Sequence, residues 1–429
     1  MNLMSNKISK LVNYEFILFM LISCIPLLVI SQLSDLPTSL GNWAAKTHEI
    51  LNLEIPSSNF YPAGSAIMLL PFIWNGPNYL IAILFYYLGG SFFYWKICSS
   101  IKSKKVRYLS LAALPINPYL IWLCYSSQDT VFEFFLLTVT IYSALKYRSL
   151  SFIILGFVLC LTRPSYWILY ITLGVFLQLT NKTKVRLKYV FLLPLIMLPI
   201  NISYNFLNYK TTSIANEAGL TAYFSYNKYY YLAHPKYDMD VFLSHEGHMS
   251  IDSSSNLNES ELNKLYLNKA ISSIKANPKE TLLGTIQKLD SYIFDIQKIP
   301  HLPGEYYLSA DAKSIVIGDQ RLDWKFVIGN LIYALERMFL LIFLIPAIFI
   351  AIMGFRKKYF IKKNINYIVL AFPWLLGIVP GVIFYTETRF KIVSELLLVP
   401  FMAFIFTSVK FKQQIVENPE IFVSDEDRA

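Results

Sequence analysis

Charged residues are scarce in this chain of 429 residues. They make up 15% of it, against about 25% in a typical soluble domain, whereas apolar residues make up 55%. A soluble fold of this size has too little interior to bury so many apolar side chains. The composition therefore excludes an ordinary soluble domain and indicates a protein whose surface lies in lipid.

Cysteine is also rare, and its placement excludes a metal or disulfide framework as the basis of the fold. The four cysteines, at positions 24, 98, 124 and 160, lie in or beside apolar runs without metal-ligand spacing. We expect them to be packing residues. The histidines of the "HEGH" stretch, His245 and His248, are three apart rather than in the zinc pattern HExxH, so we predict no metal site there.

Apolar runs alternate with short basic clusters, which is typical of an all-α polytopic membrane protein. We predict about ten transmembrane helices, at 14–31, 77–97, 107–125, 130–146, 150–162, 165–180, 189–206, 330–354, 366–385 and 391–409. The first run follows Lys7 and Lys10 without a small-residue cleavage site after it, so we interpret it as an uncleaved anchor.

The net charge of +10 is distributed as topology requires rather than as a nucleic-acid surface, and we expect no nucleic-acid partner. Lys and Arg concentrate in alternate connections, at 102–107, 146–148, 182–188 and 356–363. By the positive-inside rule these connections are cytoplasmic, as are both termini. The large loop is then extracytoplasmic, and a bacterial inner membrane is the expected location.

Four regions follow from these spans. Residues 1–206 form an N-terminal bundle with an outer loop at 32–76, 207–329 form a small, mostly helical extracytoplasmic domain, 330–409 hold the last helices, and 410–429 are a cytoplasmic tail. Within the outer domain, Asn258 and Glu261 have the spacing of a capping box, and Asn277 before Pro278 indicates a second helix start. An apolar stripe on that second helix runs through Leu282, Leu283, Ile286, Leu289 and Ile293.

Charges at the outer ends of the predicted spans are the candidates for function, because charge near hydrocarbon is costly. They are Asp35, Glu49, Asp129, Arg163, Glu387 and Arg389. Alternatives remain at this point. Arg163 would serve equally as a lipid-headgroup anchor, and Asp129 as a helix N-cap. Glu387 and Arg389 would also suit a solvated turn in which they pair.

Several stretches resemble the membrane-embedded glycosyltransferases of the C superfamily (GT-C), which include protein O-mannosyltransferases and aminoarabinose transferases. They are "FYPAGSAIMLLPF" (60–72), "INPYLIWLCYSSQDTVFEFFLLT" (116–138), "LTRPSYWILY" (161–170) and "YTETRFKIVSELLLVP" (385–400). The chain departs from the family in the first outer loop, where Asp35 stands alone. It also has Phe390 where the family has Tyr.

The resemblance implies an inverting transfer of a sugar from a polyprenyl-phosphate donor, with a carboxylate as general base. Asp35 is the first choice for the base and Glu49 the second. Asp129 orients an arginine or holds a divalent cation, and no other cofactor is implied.

The remaining site residues follow from the same resemblance. Arg163 and Arg389 bind the donor phosphate, and Glu387 positions Arg389. The aromatic residues suited to sugar rings are Trp43, Tyr61, Tyr226 and Tyr230. An aromatic belt at the membrane interface is the alternative for them.

The acceptor is a glycan, a lipid or a protein of the cell envelope, and O-antigen modification fits the size and layout. Two other functions stay open. An O-antigen or capsule polymerase predicts paired arginine motifs in the outer loops, and a lipid-linked sugar transporter or flippase predicts internal repeats with broken helices. We find neither pattern in the sequence.

Overall fold

The computed structural model describes residues 2–33, 41–56, 63–73, 79–125, 129–179, 187–212, 218–233, 239, 243, 257–294, 306–308, 315–317, 335, 337–350, 365–384 and 391–417. These residues are almost entirely helical, in agreement with the predicted all-α class. The exception is a short antiparallel strand pair, β1 (Tyr306–Leu308) and β2 (Ile315–Ile317), which the sequence analysis did not predict.

Most helices of the N-terminal half lie in predicted apolar runs. The helices of this half are α1 (Asn2–Leu33), α2 (Gly41–Leu51), α3 (Gly64–Ile73), α4 (Tyr79–Cys98), α5 (Lys104–Ala112), α6 (Pro118–Tyr125), α7 (Thr130–Leu145), α8 (Ser149–Thr162), α9 (Trp167–Leu179) and α10 (Leu187–Tyr209). Of these, α2 and α3 lie in the predicted loop 32–76. A 3-10 turn, Pro164–Tyr166, joins α8 to α9.

The second half begins with four helices of the predicted outer domain and ends with three apolar ones. The outer helices are α11 (Ala218–Tyr226), α12 (Tyr230–Ala233), α13 (Glu259–Ala276) and α14 (Pro278–Ile293). The apolar ones are α15 (Arg337–Ile350), α16 (Phe372–Ile383) and α17 (Ile392–Glu417), with a 3-10 turn, Ile365–Leu370, before α16.

Three stretches of the described helices are long and apolar enough to cross a membrane: Tyr14–Gln32, Tyr79–Cys98 and Val190–Tyr209. The other apolar helices are shorter. The predicted third span, 107–125, is divided into α5 and α6. Asn117 and Pro118 explain the division, because the Asn117 Oδ1 accepts from the Leu120 N–H at 2.8 Å and Pro118 opens α6.

The longest apolar helices carry their apolar side chains on the outside of the protein. Only 17% of the apolar window of α1 is buried, and the same holds for α10, whereas 50% of the α4 window is buried. Leu18, Leu21 and Ile25 are all exposed on α1. An apolar outer surface of this kind is stable in lipid and not in water.

Close packing of α4 on α7 forms the centre of the bundle. A Cβ at Gly90 would stand 2.5 Å from the Phe134 ring, so only glycine permits this approach. Tyr87 and Phe134 are fully buried and their rings lie 5.8 Å apart. Because lipid is as apolar as the protein core, such small-residue contacts and not apolar burial hold membrane helices together.

The first outer segment folds as a helical pair on this bundle. The Thr47 hydroxyl on α2 donates to the Ala66 carbonyl on α3 at 3.1 Å. The Tyr86 hydroxyl on α4 donates to the Met68 carbonyl at 2.6 Å, which fixes α3 against the bundle. The apolar part of the predicted loop 32–76 therefore contains a short helix, α3, with mostly buried residues.

The helices of the predicted outer domain confirm the predicted capping box and the predicted helix start at Pro278. Asn258 and Glu261 form the capping box of α13. Asn277 precedes α14, but its side chain makes no cap bond and donates instead to the Ser273 carbonyl. The predicted apolar stripe of α14 is largely exposed, and the buried face holds Gly284, Lys288, Ser291 and Tyr292. The stripe faces outward because α14 packs against the apolar helix α16 on its other side.

Candidate functional site

The antiparallel contact of α7 and α8 brings Asp129 and Arg163 together, although they are distant in sequence. Asp129 directly precedes α7 and Arg163 directly follows α8. Arg163 Nε donates to Asp129 Oδ2 at 2.8 Å and Nη2 donates to Oδ1 at 2.5 Å. This is the bidentate geometry in which a planar guanidinium binds a carboxylate.

Glu133 adds a second carboxylate, one helical turn into α7. Its Oε2 lies 2.6 Å from Arg163 Nη1 as an ion pair, and its Oε1 accepts a hydrogen bond from the Tyr166 hydroxyl. Tyr166 reaches it from the 3-10 turn, where Pro164 prevents α8 from continuing. We call Asp129, Glu133, Arg163 and Tyr166 the Arg163 cluster.

Burial is graded across the Arg163 cluster. The Glu133 side chain is 0% exposed, Arg163 is 6% exposed and Asp129 is 19% exposed. Asp129 is therefore the more accessible of the two carboxylates. With both carboxylates ionised, the two acids outnumber the one guanidinium.

Two alternatives from the sequence analysis do not describe this arrangement. Arg163 points into the protein and not toward lipid headgroups, because its guanidinium pairs with the carboxylates of Asp129 and Glu133. Asp129 occupies the N-cap position of α7, but its side chain makes no capping hydrogen bond. Both carboxylate oxygens of Asp129 accept hydrogen bonds from the Arg163 guanidinium instead of from the first N–H groups of α7.

Gly64 lies directly against the backbone of Leu161 and Thr162, which immediately precede Arg163. A Cβ at Gly64, the first residue of α3, would stand 2.3 Å from the Thr162 nitrogen and 2.6 Å from the Leu161 oxygen. No side chain fits there. The glycine therefore lets the backbone of α3 approach the turn that presents Arg163.

A second buried ionic group lies at the C-terminal end of α14. Arg337 forms an ion pair with Glu395, and its Nη2 donates to the carbonyls of Tyr292 and Ile293 at 2.9 and 2.7 Å. Lys391 donates to the carbonyls of Ser291 and Tyr292. Two cations thus satisfy the partial negative charge and the free carbonyls of a helix end. We call Arg337, Lys391 and Glu395, with Tyr292, the Arg337 cluster.

Tyr292 and Tyr166 join the two clusters. They interact electrostatically with each other, and Tyr292 also interacts with Glu133. The Tyr292 hydroxyl donates to the Trp374 carbonyl of α16 at 2.9 Å, and Gly377 leaves room for it. The two clusters are therefore near enough for their tyrosines to interact electrostatically.

Glu49, the second candidate for the base, has other neighbours. It interacts with Lys46 one turn earlier on α2 and with Tyr209 at the end of α10. Burial lowers the pKa of Lys46, and Glu259 and Glu49 partly oppose that effect. The Tyr209 hydroxyl donates to the Pro56 carbonyl, which fixes the segment after α2. Glu49 thus belongs to a contact between α2, α10 and α13.

The predicted sugar-binding aromatics are placed differently from one another. Trp43 is half-buried on α2 and packs on the core. Tyr230 is buried, so its ring is closed to a sugar in this structure, and it faces Lys288 together with Tyr226. The Tyr226 hydroxyl donates to the Ile383 carbonyl at the end of α16. The ammonium of Lys288 therefore lies over both rings, and sugar binding by these aromatics stays a prediction.

Four predicted site residues, Asp35, Tyr61, Glu387 and Arg389, lie outside the described residues. The structure adds residues that the site prediction omitted, namely Glu133, Tyr166, Lys288, Tyr292, Arg337, Lys391 and Glu395. The sequence pattern could have identified Glu133 and Lys391, since each is a charged residue within one helical turn of the predicted outer end of a span. Lys288 had no such signal, because an amphipathic helix pattern places a lysine on the solvent side.

Within the described ranges, no group of three or more His, Cys, Asp and Glu residues gathers in a way that would hold a metal ion. The pair Asp129 and Glu133 surrounds a guanidinium instead. Comparisons of the chain with protein-family models, with curated proteins and with solved structures find no match.

Proposed function

We propose that the chain is an integral membrane glycosyltransferase that moves a sugar from a polyprenyl-phosphate donor to an envelope acceptor on the extracytoplasmic side. The proposal includes the ten-span topology and the resemblance to the C superfamily. One observation supports it above all. The buried Arg163 cluster lies at the end of an apolar helix pair, with the Gly64 segment packed on it.

Buried charge in an apolar bundle is the first reason. Ionisable groups within membrane helices are rare and costly, and they concentrate at sites of transport or catalysis. An ion pair inside a protein is seldom worth more to stability than well-packed apolar side chains of the same volume. The Arg163 cluster is therefore better explained by activity than by folding.

The chemistry of the proposed transfer requires a carboxylate and a cation. A carboxylate takes the proton of the acceptor hydroxyl as its oxygen attacks the anomeric carbon. The bond from that carbon to the phosphate oxygen breaks, and the lipid phosphate leaves with the electron pair. Cations near that phosphate stabilise its growing negative charge.

The geometry changes one proposed role. Three donors of Arg163 are engaged by Asp129 and Glu133, so we assign Arg163 as a positioning residue for these carboxylates. Phosphate binding is then assigned to Arg389, positioned by Glu387. Asp35 remains the proposed base, and Asp129 faces the proposed substrate with the lone pairs that the guanidinium leaves open.

The test is a transfer assay with purified protein in lipid nanodiscs, a radiolabelled synthetic polyprenyl-phosphate sugar and envelope glycans as acceptors. We expect transfer without any ion gradient. Asp35→Asn and Asp129→Asn should lower kcat by about 100-fold or more, the usual contribution of a positioned acid or base. Arg107→Met, which disrupts a partly exposed pair with Glu15, is the matched control and should leave transfer unchanged.

Two results would overturn the proposal. One is full transfer activity in both Asp35→Asn and Asp129→Asn. The other is gradient-dependent uptake of a lipid-linked sugar into sealed vesicles with no glycosidic product, which would identify a transporter.

A further inference from the structure

Lys288 is a buried cation without the partners that buried cations normally have. It lies on the inward face of α14 and is 0% exposed. Its Nζ stands 3.9 Å from the centre of the Tyr226 ring and 5.1 Å from that of Tyr230. Within the described part of the chain, no hydrogen-bond acceptor reaches this ammonium.

The other buried cations nearby show what is missing. Arg337 pairs with Glu395 and donates to two carbonyls, and Lys391 donates to two carbonyls. Lys288 has three N–H donors, and among the described residues its ammonium contacts the faces of two aromatic rings without a hydrogen-bond acceptor. Burial lowers the pKa of Lys288 to about 7. Aromatic rings attract a cation but do not replace a hydrogen-bonding anion, so the lysine gains from an incoming acceptor.

The two rings are fixed in place around the ammonium. A Cβ at Gly284, one turn before Lys288, would stand 3.1 Å from the Tyr230 ring, so α14 closely supports that ring. The Tyr226 hydroxyl is tied to the Ile383 carbonyl, where α16 ends and the chain runs toward Glu387 and Arg389. The Tyr226 ring therefore connects the environment of the ammonium to the C-terminal end of α16.

We propose that Lys288, held between Tyr226 and Tyr230, is a binding site for a phosphate group. A phosphate offers several acceptor oxygens and a negative charge to three unused donors. A lysine side chain has four rotatable bonds, so its ammonium turns toward an anion at the edge of the rings without backbone movement. This assignment rests on the proposed function: the phosphate is that of the lipid-linked sugar donor. Free phosphate is the other ligand that offers the same charge and acceptor oxygens.

The experiment measures binding directly and needs no sugar transfer. Isothermal titration calorimetry in detergent micelles compares farnesyl phosphate, inorganic phosphate and the neutral alcohol farnesol on the full chain. The variants are Lys288→Met and Lys288→Arg, and Lys279→Met is the matched control at an exposed position of the same helix. Where Lys288→Met does not fold, Lys288→Gln replaces it as the neutral variant.

We expect farnesyl phosphate to bind at least tenfold more weakly to Lys288→Met than to the native protein. Lys288→Arg should stay within about threefold, because it keeps the charge, and Lys279→Met should be unchanged. Farnesol binding should not respond to any of these variants. This pattern supports the site even if the chain transfers no sugar.

Two results would overturn the proposal. Equal binding of farnesyl phosphate to the native protein and to the neutral variant would leave Lys288 a neutral packing residue. Tight binding of inorganic phosphate that requires Lys288, with farnesyl phosphate no better than farnesol, would overturn the assignment to a lipid donor and place free phosphate at the site.

Discussion

Replacing Arg163 with methionine is the change that best tests the buried cluster. Methionine keeps an unbranched apolar stem and removes the guanidinium. The change leaves Asp129 and Glu133 facing each other without a cation, in a region where Glu133 is fully buried. We therefore expect a loss of stability well beyond that of an ordinary surface substitution.

The expected magnitude follows from burial. Removing one partner of a buried ion pair costs about 3–5 kcal/mol, because the other charge stays buried without compensation. Asp129 regains some contact with water and contributes little to this cost, so Glu133 carries most of it. The double variant Arg163→Met/Glu133→Gln should recover about 1–3 kcal/mol, since the stranded charge is gone.

Arg107 provides the matched comparison. Its pair with Glu15 joins α5 to α1, and the two side chains are 18% and 21% exposed. Such a pair contributes about 0–1 kcal/mol, so Arg107→Met should be nearly neutral. Unfolding free energies would be measured by denaturant titration in detergent micelles, followed by circular dichroism. If Arg163→Met lost no more stability than Arg107→Met, the reasoning from buried charge would be refuted.

Three further predictions concern packing, pH and lipid contact. Gly64→Ala should lower the unfolding free energy by about 2–3 kcal/mol, because the new Cβ meets backbone and not a movable side chain. The same denaturant titration measures this loss, and an unchanged unfolding free energy would refute the close approach of α3. Since burial lowers the pKa of Lys288 to about 7 from 10.5, unfolding takes up a proton between these values, and stability should rise with pH there. Lys288→Met should abolish that rise, and an identical pH profile would contradict it. A spin label at Ile286 should be more accessible to oxygen than one at Lys279 in bilayers, and equal accessibility would argue against lipid on that face.

The sequence predicted well wherever local chemistry decides the outcome. The apolar runs became helices, and the Asn258–Glu261 capping box formed as its spacing requires. The contact of Asp129 with Arg163 also follows from simple topology. Two consecutive antiparallel helices place the residue before the first beside the residue after the second.

The sequence predicted less well where the direction of a helix face decides the outcome. Periodicity predicted an apolar stripe through Leu282 and Ile286, and in a water-soluble fold such a stripe faces inward. In this structure the stripe is exposed, and the small and polar residues Gly284 and Lys288 face the protein. Periodicity measures how apolar a face is, but not whether its neighbour is protein or lipid.

Contacts between distant segments were also beyond sequence reasoning. Arg337 is 45 residues from Tyr292, whose carbonyl it binds, and 58 residues from Glu395. No local pattern links a charge at the start of one apolar helix to the carbonyl end of another. Side-chain partners of this kind depend on how helices rotate when they pack, which the sequence of one chain does not specify.

The two buried clusters point to function because of where they lie together. Stability alone gives the Arg163 cluster little reason to be ionic, since a buried ion pair seldom repays its desolvation. In addition, Tyr166 of the Arg163 cluster lies near enough to Tyr292 of the Arg337 cluster to interact with it electrostatically. Folding alone does not require the two clusters to be neighbours. The proposed transfer, which needs a carboxylate and stabilised negative charge in the same place, would account for their proximity.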